Sequence, residues 1–179
     1  EGGEEKLQTV KLFRLVNADV RIGWQWIPTQ AGEPTSGETT LPWTGGANYE
    51  GNSRSPLYML RFDQMRDELF VMLMAQPMDG SSRQMGRGVE LHQMGVDGDS
   101  EAAQKEFAEL DLDDLSDREK MKGPWRPLAL TPGRPQSRFT VTFGKIYAGK
   151  FFTHDPQTGQ AGEMRFKILL EKSGANAEE

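Results

Sequence analysis

The stretch VRIGWQW, residues 20–26, sets Val20, Ile22, Trp24 and Trp26 in alternation with Arg21, Gly23 and Gln25. A period of two is that of a β-strand with one buried face, because successive side chains of an extended chain point to opposite sides of the sheet. The reading extends downstream. In RFTVTF, Phe139, Val141 and Phe143 recur on one side, and in MRFKIL, Met164, Phe166 and Ile168 do, with Leu170 continuing the face. LFVMLMA, residues 69–75, is apolar throughout and short, which fits a central strand covered on both sides. Shorter candidates lie at residues 9–16, 57–62, 87–93 and 145–153. Together these make about eight strands.

The candidates are separated by PTQAGEPTSGETTLPWTGG, QPMDGSSRQMGRG, ALTPGRPQS and HDPQTGQAGE. Glycine supplies positive φ and proline presets φ, so these segments break strands for a physical reason. Residues 28–56 read as one long ordered surface loop anchored by Trp43 and Tyr49. No repeat of fixed period appears, which argues against a solenoid or propeller. The expectation is a mostly β chain, an antiparallel β-sandwich. It occupies residues 9–171 as a single domain, with flexible tails at 1–8 and 172–179.

One segment breaks the pattern. GVDGDSEAAQKEFAELDLDDLSDREKMKG, residues 95–123, is acid-rich and has helical spacing, so residues 97–122 read as a helical insertion. Ser100 suits an N-cap, and Glu101, Lys105 and Glu109 are spaced one turn apart. Ser116 and Glu119 have capping-box spacing, and Gly123-Pro124 supplies a stop. Two short helices are expected, burying a narrow edge of Phe107, Leu110, Leu115 and Met121 while the acids face water.

The chain has 179 residues, long enough for a substantial core, and a net charge of −6. That balance lacks the basic footprint of a nucleic-acid binder. Cysteine is absent, which removes disulfides, thiolate metal sites and cysteine nucleophiles together. No stretch approaches the roughly 18 apolar residues of a membrane-spanning helix, so membrane contact would be peripheral. The sequence opens at Glu1 without an initiator Met, a basic n-region or an apolar h-region. This reads as a targeting peptide already removed, and favours an intracellular or organellar location over secretion.

The chemical candidates are few. His92 and His154 are the only histidines and stand in no metal-ligand spacing. No nucleophile elbow, P-loop or dinucleotide fingerprint occurs, and paired carboxylates arise by chance in so acidic a segment. The expectation is therefore a chain without enzymatic activity. For calcium, Asp97, Asp99, Asp111 and Asp113 are the candidate ligands. An EF-hand is excluded, because its required Gly and Glu positions fall on Ala102 and Ala108 counted from Asp97, and on Ser116 and Lys122 counted from Asp111. A looser calcium loop is the alternative to a solvated acidic face with no cofactor. On that face, Glu106, Glu109, Asp113, Asp114 and Asp117 are the candidate contacts for another protein subunit with a basic surface. Trp24, Trp26, Trp43 and Trp125 raise a second function, a carbohydrate-binding sandwich in which exposed rings stack on sugars. Trp24 and Trp26 share the face of Val20 and Ile22, which favours core instead, and the methionines at strand spacing read as core filler.

The order of blocks resembles the C2-like β-sandwich domain that follows the protease core in calpains. Trp43, Gly45, Gly46, Asn52, Pro56, Tyr58 and Leu60 are similar to its opening pattern, and FVMLMAQPMDGSSRQMGRGVELHQ to its apolar strand, basic turn and Gly-led second strand. Arg138, Phe139, Gly144, Tyr147, Phe152, Pro156, Gly159, Gly162, Phe166 and Ile168 follow the family's closing order. Thr142-Phe143 stands where the family has Pro-Pro, and Leu57 where it has Gln. The resemblance implies a non-catalytic interaction or scaffolding module, an accessory or structural subunit of a larger assembly. It also implies an acidic loop engaged in calcium, phospholipid or intramolecular contacts, which by position is the segment from Asp97 to Asp117.

Overall fold

The structure, a computed structural model, describes residues 18–43, 60–65, 68–73, 89–96, 100–128, 137–155 and 158–172. Strand β1 (Ala18–Pro28) pairs on one side with β2 (Thr35–Trp43) and on the other with the last strand, β9 (Ala161–Lys172). Strand β8 (Lys145–His154) follows β9, then β5 (Glu90–Gly95) and the two-residue edge strand β6 (Arg126–Pro127). This makes a six-stranded sheet in the order β2-β1-β9-β8-β5-β6, antiparallel throughout. A second sheet of three antiparallel strands holds β3 (Leu60–Met65), a central β4 (Glu68–Leu73) and β7 (Ser137–Val141).

Alternation decides what each face buries. Val20, Ile22 and Trp26 of β1 and Met164, Phe166, Ile168 and Leu170 of β9 lie in one core with Val71, Phe139 and Val141 of the smaller sheet. Phe139 stacks on Phe166 with ring centroids 6.4 Å apart and meets Tyr147 at 5.5 Å. Gly149 on β8 makes room for this cluster. A Cβ there would lie 2.9 Å from the Phe166 ring and 2.6 Å from the Glu90 carbonyl, so only glycine lets the ring lie flat across the strand. Tyr147 is buried, its hydroxyl accepting from the Thr142 amide at 2.9 Å, and desolvation pushes the phenol above its ordinary range.

The opposite face of the six-stranded sheet is covered by the acidic segment. Helix α1 (Ser100–Glu109) sets Ala103 and Phe107, one turn apart, against Met94, Ile146 and Leu169. Two 3-10 turns, Leu112–Ser116 and Lys120–Lys122, then add Leu115 and Met121 over Ala148. The expected apolar edge is thus found, with Ala103 joining it, and the chain returns to the sheet as β6.

Four expectations are corrected. Residues 28–56 are not one loop, since Thr35–Trp43 pairs with β1 along its length. This edge strand escaped notice because residues 35–38 and Thr40 are exposed, so it carries no alternating apolar signal. Phe143 is not on the buried face of Phe139 and Val141. It is 38 % exposed in the turn where the chain leaves β7 for β8 in the other sheet. The second expected helix is a pair of 3-10 turns, and no Ser116–Glu119 box caps it. Asp111 caps the first turn by accepting from the Asp113 amide, and Asp117 accepts from the Glu119 amide and, at 3.4 Å, from that of Lys120 at the start of the second. The expected strand at residues 9–16, the N-terminal tail, residues 173–179 of the C-terminal tail and the part of the insertion at 97–99 lie outside the described residues, while Lys172, expected in that tail, ends β9.

Candidate functional site

The acidic layer gathers most of the residues that the sequence marked as candidates, and cations on the sheet beneath hold it. Phe107, fully buried, meets two of them: Lys167 Nζ stands 4.6 Å from the ring centroid and Arg21 Cζ 4.9 Å. Lys167 crosses from β9 over β1 at Gly23, its register partner, where an added Cβ would meet Lys167 Cε at 2.6 Å. Its Nζ donates to the Phe107 carbonyl at 2.7 Å and the Leu110 carbonyl at 3.0 Å. Burial lowers the Lys167 pKa from 10.5, Glu38 and Asp111 oppose the shift, and Arg21 adds to it. Farther along, Arg165 Nη1 donates to the Leu112 carbonyl and to Asp113 Oδ1, each at 3.4 Å, and Gln25 Nε2 donates to Asp113 Oδ1 at 3.2 Å.

The candidate acids therefore divide. Glu106 and Glu109 are exposed on α1, the latter 4.0 Å from Lys105 across one turn. Asp113 faces the sheet's Arg165. Asp114 is half-buried and pairs with Lys120, whose ammonium this hydrogen bond holds above its ordinary pKa. Asp117 Oδ1 accepts from the Glu119 amide at 2.9 Å, and Asp111 Oδ1 from the Asp113 amide at 2.9 Å. Of the calcium candidates, Asp97 and Asp99 lie outside the described residues, Asp111 caps the turn it opens, and the Asp113 carboxylate accepts from Gln25 and Arg165 of the sheet. Among the described residues no three acids or histidines converge in a way that would hold a metal ion.

Beside the layer runs an open groove of about 310 Å³ between β2 and residues 110–112, with Ser36, Glu38, Asp111 and Lys167 on its walls. Its charged groups already have partners: Lys167 the helix carbonyls, Glu38 the Arg21 guanidinium at 2.8 Å, Asp111 its own turn. Of the tryptophans, Trp26 is buried and Trp24 and Trp125 are half-buried against the core clusters. The Trp43 side chain lies outside the described residues.

His92 is half-buried on β5 near Glu90 and Lys150. Burial lowers its pKa below the ordinary 6.5, Glu90 opposes this, and Lys150 adds to it. As pH falls the unfolded chain takes up this proton first. The stability contributed by His92 is then full above pH 6.5 and is lost as pH drops through the lowered folded value. The melting temperature of the wild type is expected to fall more steeply below that pH than that of His92→Asn; parallel curves would refute this.

Sequence reasoning missed Lys167, Arg165 and Gln25, because in an alternating strand they read as the solvent side. The available signal was on the helix. α1 has no basic residue in its last turn, so its terminal carbonyls need a donor from elsewhere.

Among the described residues no helix is long and apolar enough to cross a membrane. No protein-family model matches the chain, and neither a curated protein nor a solved structure does.

Proposed function

We propose that this chain is a non-catalytic protein-interaction module, an accessory or scaffolding domain that presents its acidic layer to a partner with a basic surface. One observation carries the reading: Glu106 and Glu109 stand exposed on a helix whose other side is anchored at Ala103 and Phe107, so the charges sit on a fixed platform. A fixed array of like charge steers an oppositely charged partner and sets its register. We read the two sheets as a β-sandwich, supported by the core that Phe139 and Val141 share with β1, β8 and β9. The likeness to the calpain C2-like domain remains part of this proposal, supported by Phe139, Tyr147, Phe166 and Ile168, which lie in that core.

The test uses an oligolysine peptide as a basic probe. Glu106→Lys with Glu109→Lys is expected to weaken its binding by about tenfold or more at low salt and to flatten the salt dependence. Glu33→Lys with Glu90→Lys makes the same change in net charge away from α1 and is expected to have a much smaller effect. Equal losses in the two double variants would reduce the interaction to net charge and defeat the assignment. Asp113 is left unchanged, because its reversal would also break the contacts with Gln25 and Arg165.

A further inference from the structure

We infer that Lys167 is the positioning residue of the acidic platform, a latch through which the sheet fixes the angle at which α1 presents Glu106 and Glu109. The inference rests on the proposed docking role and adds how the docking face is held. α1 ends without a basic residue in its last turn. The unpaired carbonyls at that end form the negative pole of the helix and need donors. Lys167 supplies them from β9, reaching Phe107 and Leu110 together, at 2.7 and 3.0 Å. These two carbonyls bracket Glu109, so the residues gripped by the ammonium flank one of the acids that face outward.

The reach is built into the sheet. Gly23 leaves the track along which the lysine stem crosses β1, and Glu38 lies opposite Gly23 on β2, close enough to oppose the loss of charge that burial favours at Lys167. Arg21 meets the same ring, its Cζ 4.9 Å from the Phe107 centroid. A cation that is 8 % exposed, held by two carbonyls and one aromatic face, allows α1 far less freedom than apolar packing alone.

The sign of one measurement separates positioning from electrostatics. Lys167→Met removes a positive charge, and by long-range attraction alone the more acidic protein would bind oligolysine more tightly. Positioning predicts the reverse. Hydrogen exchange is expected to quicken by about tenfold or more in the last turn of α1 while β8 and β9 stay protected. Oligolysine affinity is expected to fall severalfold with an unchanged salt slope, since the surface acids remain. Gly23→Ala provides the second variant: it keeps the charge, pushes the stem off its track, and is expected to give the same two results. Unchanged exchange in α1, or a loosened α1 with equal or tighter peptide binding, would overturn the inference. If Glu106→Lys with Glu109→Lys binds like the wild type, the docking role fails, and the exchange result still reports on the latch itself.

Discussion

Phe166→Ala is expected to lower the unfolding free energy by about 3–5 kcal/mol, the range for deleting a fully buried phenylalanine. The ring has no exposed surface and sits between Phe139 at 6.4 Å and Phe151 at 6.1 Å, so its removal opens a space bounded by two other rings. Beneath it lies the Gly149 backbone, which has no side chain to move into the gap. A site that cannot collapse pays the cavity term in full as well as the transfer term. Domains of this size are stable by only about 5–15 kcal/mol, so the variant approaches the threshold of folding. Urea titration measures the loss as a lower midpoint at unchanged slope. Phe152→Ala is the matched control: the residue lies near the end of the neighbouring β8 and is 49 % exposed, and the change is expected to stay within about 0.5 kcal/mol. A loss below about 1 kcal/mol at Phe166 would mean that the two faces of β9 are reversed.

That prediction draws on the part of the molecule most legible in the sequence. Val20, Ile22 and Trp26, and Met164, Phe166, Ile168 and Leu170, announce their burial because the face they share lies in one hydrophobic cluster. The other face of the same strands was illegible for a physical reason. It is also covered, but by a layer that presents helix carbonyls, the Phe107 ring and the Asp113 carboxylate, so Arg21, Gln25, Arg165 and Lys167 stand where a doubly buried strand would carry valine or isoleucine. A polar residue beneath an acidic layer looks the same in sequence as one facing water. The helical segment was half legible on the same grounds. Its apolar edge obeys a period that shows in the letters, whereas the roles of Asp111, Asp113 and Asp117 depend on which amide or cation each one meets. At β2 the difficulty is exposure: an edge strand with residues 35–38 bare gives no burial pattern to read.

Phe107→Ala tests the joint between those two halves, and its effect is expected to be as large as that of Phe166→Ala but differently distributed. Phe107 is the residue by which α1 enters the sheet, fully buried against Met94, Ile146 and Leu169. Truncation removes a ring worth about 3–5 kcal/mol by burial, and leaves Lys167 and Arg21 without the aromatic contact that each makes. The inner core does not include Phe107, since the residues that join the two sheets lie on the opposite face. The expected outcome is therefore opening of one region: amides of α1 lose nearly all protection while those of β1, β8 and β9 keep most of theirs. Phe166→Ala, by contrast, is expected to lower protection in both sheets and the layer together. Hydrogen exchange followed by mass spectrometry distinguishes the patterns. Uniform loss in Phe107→Ala would show that the acidic layer is an inseparable part of the core, and full retention of α1 protection would show that Lys167 holds the helix without its aromatic anchor.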